Sequence, residues 1–156
     1  MKIEKLSKYT LEELVVIFRD IFPSEEDQSS IEECFRSSLN GGPVEGVKEL
    51  EYFVTRKDSK IVGAIGLYST PEDFREALWI GWYGVHPPHR NKGIGTNLLK
   101  FSIREAKKRG AKYLRAYTST DPNEHAAHRL YEKHGLIKVK EEFLDGDNIL
   151  TYELKL

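Results

Sequence analysis

The 156-residue chain has a single cysteine, Cys34. One cysteine allows no intrachain disulfide and no cysteine-based zinc site, so a disulfide-stapled scaffold and a zinc ribbon are both excluded. Long apolar runs are missing too. No uncharged stretch approaches the roughly 18 residues that a membrane-spanning helix needs, and the opening MKIEKLSKYT lacks the apolar core of a secretory signal. The chain also has no internal repeat, low-complexity tract or linker-like segment. These absences lead to the expectation of a cytoplasmic protein with no membrane partner. Hydrophobic residues at 39% and charged residues at 31% suit a globular chain, and the length suits one domain over residues 1–156.

Net charge is also scarce: 24 Lys plus Arg against 25 Asp plus Glu give −1. Nucleic-acid-binding domains usually carry a basic total, so nucleic acid is not the expected partner. The total conceals an uneven distribution. Residues 86–115 hold nine basic side chains, from Arg90 to Arg115, against the lone acid Glu105, while residues 1–85 sum to −6 and residues 116–156 to −3. The basic segment reads either as a solvated helix face or as an anion site.

Periodicity supplies the framework. Thr10 and Glu13 stand at capping-box spacing before a helical run of Leu11, Leu14, Val15, Phe18 and Phe22. A second helix is expected over about Asp27–Leu39, ended by Asn40-Gly41-Gly42-Pro43. Strand-like runs at Glu51–Arg56 and Ile61–Ser69 read as a hairpin. The uncharged run Leu78–Val85 reads as a strand covered on both faces. A helix over Gly95–Arg109, a strand over Tyr113–Thr118, a helix opened by Asp121-Pro122 and two closing strands follow. The order is ααββ, β, α, β, α, ββ, a mixed α/β domain with an antiparallel first half and at least one parallel crossover.

Between the buried strand and the basic helix lies Val85-His86-Pro87-Pro88-His89-Arg90-Asn91-Lys92-Gly93-Ile94-Gly95-Thr96. Glycines there let the backbone turn and approach a ligand, and the free amides of a helix's first turn bind anions. Arg90 and Lys92 add charge, so a diphosphate is the natural occupant. A dinucleotide fingerprint fails because Leu98 replaces the third glycine, and a P-loop fails because Lys92 precedes Gly93. The pattern R-x-x-G-x-G fits at Arg90, Gly93 and Gly95.

With Val-x-Pro before that pattern, a leucine-containing helix after it, and Tyr131-Glu132-Lys133-His134-Gly135-Leu136 further on, the chain resembles the GCN5-related N-acetyltransferase (GNAT) family over about Leu78–Val139. The resemblance implies an acyl-CoA N-acyltransferase fold: a mostly antiparallel sheet with a splayed parallel strand pair, flanked by helices. It implies acetyl-CoA as acetyl donor. Its pyrophosphate would lie on the amides of Asn91, Lys92, Gly93, Ile94, Gly95 and Thr96, with Arg90 beside it and the main chain of Val85 pairing with the pantetheine arm. The strand ending at Val85 would then splay from the next one, with Gly84 as the expected bulge. The acceptor would be an amine of a small molecule or peptide, and a homodimer is the family's common state.

In this resemblance Tyr131 takes the general-acid position, donating to the departing thiolate; a packed core aromatic is its plainer reading. Relatives often place a glutamate on the strand before the motif, but Trp79–Val85 holds none. Glu76 or Asp73 upstream, or His86 after it, stand as bases acting through water, with Glu76 carried forward. Where relatives carry an asparagine on the later helix this chain has Glu124, with Asn123 one residue early; either Asn123 reaches the pantetheine or that contact is absent. His86 with His89, and His125 with His128, are read as surface residues rather than metal ligands. Trp79 and Trp82, three apart on a strand, are expected on opposite faces. Acids from Glu25 to Glu33 read as a solvated helix start or as an attraction for a cationic amine. The competing function is a non-catalytic acyl-CoA-binding module.

Overall fold

The computed structural model describes residues 1–41 and 44–156. Its sheet has seven strands in the order β1-β2-β3-β4-β5-β7-β6. In chain order the elements are β1 (Ile3–Lys5), α1 (Leu11–Ile21), α2 (Glu25–Asn40), β2 (Glu49–Lys57), β3 (Lys60–Ser69), β4 (Ala77–Val85), α3 (Ile94–Lys108), β5 (Tyr113–Ser119), α4 (His125–Lys133), β6 (Ile137–Leu144) and β7 (Asp147–Lys155). Short 3-10 turns cover Pro87–His89 and Pro122–Glu124. The expected order is found with one addition, β1, whose three residues pair with Phe53–Thr55 and are too few to show a period.

Two apolar layers sandwich the sheet. On one face α1 and α2 pack Leu14, Phe18, Ile31 and Phe35 against Tyr52, Val54 and Ala64. On the other, α3 and α4 pack Leu98, Leu99 and Tyr131 against Ile65, Ile80, Leu114 and Tyr152. Fully burying side chains of this size contributes about 1.5–3 kcal/mol each.

The helix starts differ from their sequence signals. Thr10 does not cap α1: its hydroxyl accepts the Ser7 amide at 3.1 Å and donates to the Ser7 carbonyl. Glu13, the other half of the expected capping box, instead accepts the Ile61 amide at 2.8 Å and ties α1 to β3. α2 begins two residues earlier than expected because Ser24 caps it, accepting the Asp27 amide at 3.1 Å. Of its expected stop signal, Gly41 takes the left-handed φ of 65°; Gly42 and Pro43 lie outside the described residues.

Every neighbouring strand pair is antiparallel except β4 and β5, which run parallel through the α3 crossover. Their pairing covers only Ala77–Ile80 against Tyr113–Ala116, so beyond Ile80 the strands part. The cause lies in β4. Against β3, Ile65 faces Tyr83 and Leu67 faces Ile80, so Gly81 and Trp82 together oppose Gly66. This extra residue is a bulge, and it sits at Gly81–Trp82 rather than at the expected Gly84. A bulge also resets the alternation of side chains. Trp79 stacks on Tyr68, its partner across the strands, and Trp82 packs edge-on against Phe22 at 5.0 Å. Both tryptophans therefore share the α1/α2 face, which corrects the expectation of opposite faces.

Candidate active site

Two cavities lie where β4 and β5 part. The first, about 320 Å³, is walled by the β4–α3 loop and α4. It collects Val85, Arg90, Asn91, Gly93, Ile94, Gly95, Thr96 and Asn123, all singled out in sequence; Lys92 is exposed and lies outside it.

Local backbone geometry explains why those residues converge. Asn91 and Gly93 take left-handed φ values of 62° and 82°, which swing the chain into α3. No side chain caps α3, so the first-turn amides of Ile94, Gly95 and Thr96 have no intrahelical partner. Gly95 matters for a different reason: a Cβ there would meet Leu130 at 3.1 Å and the Tyr83 hydroxyl at 3.2 Å. Tyr83 donates to the Gly95 carbonyl at 2.5 Å, pinning the first turn of α3 to β4. Arg90 Nε donates to the Val85 carbonyl at 3.0 Å, so that carbonyl already has a donor. Because the His86 amide bonds the Val62 carbonyl on β3, the main chain of Val85 turns the other way, into the gap.

The charge in this cavity is not the charge concentrated in sequence. Arg90 alone among the nine basic residues of 86–115 lines it; the other two cations, Arg129 and Lys133, come from α4. Arg109 instead pairs with Glu51 and Glu105, both at 3.1 Å, and Arg115 with Asp73 at 2.9 Å and Glu153 at 2.8 Å. Helical spacing of four residues puts Arg129 and Lys133 on one face of α4, a signal present in the sequence but outside the basic run. No Asp or Glu among the described residues lines this cavity. His89 borders it with Nδ1 buried and unpaired, and burial lowers its pKa.

The second cavity, about 1210 Å³, lies between α2, the middle of β4, the end of β5 and the start of α4. Six carboxylates reach it, from Glu26, Asp27, Glu45, Asp121, Glu124 and Asp147, and no Lys, Arg or His among the described residues does. Aromatic walls come from Tyr52, Tyr68, Trp79, Trp82 and Tyr117. Of the acids on the second helix only Glu26 and Asp27 reach it; Glu32 is taken by Arg36 at 2.8 Å. Phe22, Tyr83, Asn123 and Ala127 line both cavities, so the two meet where β4 and β5 part.

Tyr131 projects from α4 at this meeting point. It is only 4% exposed, lies 6.2 Å ring to ring from Tyr83, and lines the acidic cavity. Burial, reinforced by Tyr83 and by the negative charge of Glu124, pushes its phenol well above the ordinary tyrosine value. The phenol is therefore a proton donor throughout the neutral range.

The base candidates named from sequence do not join it. Glu76 is exposed at the start of β4 and lines neither cavity. Asp73 accepts from Thr70 at 2.5 Å, the Trp79 indole at 2.8 Å and Arg115 at 2.9 Å, which commits it to holding the loop before β4. His86 pairs with Asp20 at 3.1 Å outside both cavities. On the later helix the two alternatives separate. Asn123 is exposed in the 3-10 turn and borders both cavities, while Glu124 folds back to accept the Ser119 amide at 2.7 Å. The turn exists because Asp121 accepts the Asn123 amide at 2.8 Å, so α4 starts at His125 rather than at Pro122.

Comparison with known proteins agrees with this architecture. The chain superposes on a GNAT-family protein from Desulfovibrio desulfuricans with a TM-score of 0.85 at 19% identity, covering 99% of this chain and 98% of that one. The PaiA N-acetyltransferase of Thermoplasma acidophilum, solved with coenzyme A, gives 0.71 at 22% identity over 100% of both chains. The ribosomal-protein-S18-alanine N-acetyltransferase of Escherichia coli gives 0.73 at 20% identity, covering 99% of this chain and 92% of that one. No curated protein matches the chain in sequence. The family model described as Acetyltransferase (GNAT) family matches residues 11–136, and the chain belongs to that family.

Proposed function

We propose that this protein transfers the acetyl group of acetyl-CoA directly to a primary amine, and that the amine belongs to a cationic small molecule or peptide. One observation carries the reading: a cation-lined cavity at a helix N-terminus abuts a carboxylate-lined cavity at the point where two parallel strands part. The first suits the pyrophosphate of CoA. Free amides of Ile94, Gly95 and Thr96, the α3 dipole, Arg90, Arg129 and Lys133 all favour an anion there. The main chain of Val85 and the side chain of Asn123 would meet the pantetheine arm as it runs toward the second cavity.

The second suits a protonated amine, through carboxylates and aromatic faces. Its size exceeds the need of a single ammonium, which favours an acceptor with an extended or multiply charged body. Tyr131 would donate to the departing thiolate. Direct transfer is favoured over a covalent acetyl-enzyme because burial raises the pKa of Cys34, the only thiol in the chain, and leaves it a weak nucleophile.

The absence of a carboxylate on β4 keeps one other reading in view, an acyl-CoA-binding module without turnover. Thiol release from acetyl-CoA across a panel of polyamines, amino sugars, amino acids and peptides separates the two. Turnover is expected with at least one cationic amine. Tyr131→Phe is expected to lower kcat about 100-fold while acetyl-CoA still binds. Binding of acetyl-CoA with no turnover on any amine, and no effect of Tyr131→Phe, would favour the module.

A further inference from the structure

The transfer needs a proton acceptor. Of the six carboxylates lining the second cavity, those of Glu26, Glu45, Asp121 and Asp147 belong to exposed residues, and Asp27 stands in the first turn of α2. Glu124 differs. It directly follows Asn123 and stands three residues before Ala127, two of the residues common to both cavities. It closes the 3-10 turn that leads into α4, seven residues before Tyr131. Tyr131 feels its charge.

The carboxylate is held rather than free. Both the amide and the hydroxyl of Ser119 donate to its Oε2, the amide at 2.7 Å. These bonds fall on one oxygen and do not consume Oε1. Burial raises the carboxyl pKa above the ordinary glutamate value, Asp121 adds to the rise, and the Ser119 donors and Thr118 oppose it. Asp147 on β7 and Tyr131 on α4 line the same cavity, and burial lowers the pKa of His128, whose Nε2 meets the Thr118 hydroxyl at 3.0 Å.

We propose that Glu124 is the general base of the reaction, removing the proton from the acceptor ammonium directly or through one water. The assignment rests on the acetyl-transfer reading above. The ammonium loses one proton to Glu124, which releases it to solvent. The freed lone pair attacks the thioester carbon, the C–N bond forms and the C–S bond breaks. The thiolate takes a proton from Tyr131, and the second proton that the nitrogen sheds on becoming an amide restores Tyr131.

The test is the pH dependence of kcat/KM for an accepted amine, with acetyl-CoA affinity measured alongside by calorimetry. Glu124→Gln is expected to lose about 100-fold or more in kcat at neutral pH and to lose the acid limb of the profile, with acetyl-CoA affinity within twofold. Ser119→Ala removes a donor that favours the charged carboxylate, so its acid limb is expected to move to higher pH while the plateau rate stays within a few-fold. A merely structural Glu124 would leave the limb in place. An acid limb unchanged in both variants, or a Glu124→Gln rate near wild type, overturns the assignment. Wild-type protein that binds acetyl-CoA and turns over no amine overturns the transfer reading, and the assignment with it.

Discussion

The two cavities at the parted end of β4 are built in opposite ways. The cationic one draws most of its lining from one short stretch, Tyr83–Thr96, and offers backbone amides, a helix dipole and three cations. The acidic one gathers side chains from α2, the loop before β2, and every strand from β2 to β5, together with α4 and β7. A ligand recognised by backbone needs its residues contiguous, with glycine where the chain turns left-handed. A ligand recognised by side chains can draw them from anywhere the fold converges. The first kind of site leaves a motif in sequence and the second does not.

The largest effect on donor binding is expected at Gly93. A side chain there meets no neighbour within 4 Å, but it must adopt the positive φ of 82°, at a cost of about 1–2 kcal/mol. Gly93→Glu also puts a carboxylate against the free amides of α3. It is expected to stay folded and to lose all acetyl-CoA-induced thermal stabilisation; retained stabilisation would show that the loop is not the anion site. Gly95 is less suited to this test, because Leu130 and the Tyr83 hydroxyl crowd the space its Cβ would fill.

Arg115 probes the same contrast from the side where no effect on the ligand is expected. It belongs to the basic run yet is committed to Asp73 and Glu153, well inside the sheet's edge. Arg115→Met takes the cation from Glu153 and from Asp73, which keeps Thr70 and Trp79, and is expected to cost about 2 kcal/mol of stability by denaturant titration. Its acetyl-CoA affinity is expected to stay within twofold of wild type. A tenfold loss of affinity would mean that the run acts as one electrostatic patch after all.

Much of the fold was legible because its periods are clean. Leu98, Leu99 and Ala106 mark the buried face of α3, the uncharged Leu78–Val85 marks the doubly covered strand, and Arg90, Gly93 and Gly95 mark the loop that walls the first cavity. What was illegible depended on contacts between distant residues. The bulge at Gly81–Trp82 is defined only by its partner Gly66 on β3, and it decides both where β4 leaves β5 and which face Trp82 takes. The charge of 86–115 pointed to the wrong residues, because only Arg90 of the nine lines the cavity, while Arg109 and Arg115 are held by Glu51, Asp73 and Glu153. Glu124 stood out only as a departure from the family pattern; its anchoring by Ser119 became visible only with β5 and α4 in place.

In the proposed reaction two cavities of opposite charge meet at one point, one taking the donor and the other the acceptor. Steady-state kinetics of two charge reversals, Arg129→Glu and Asp27→Lys, test it most directly at low ionic strength. Arg129→Glu is expected to raise the KM for acetyl-CoA about five- to tenfold and to leave that of a cationic amine within twofold, and Asp27→Lys to do the reverse. Equal movement of both constants in either variant would contradict it.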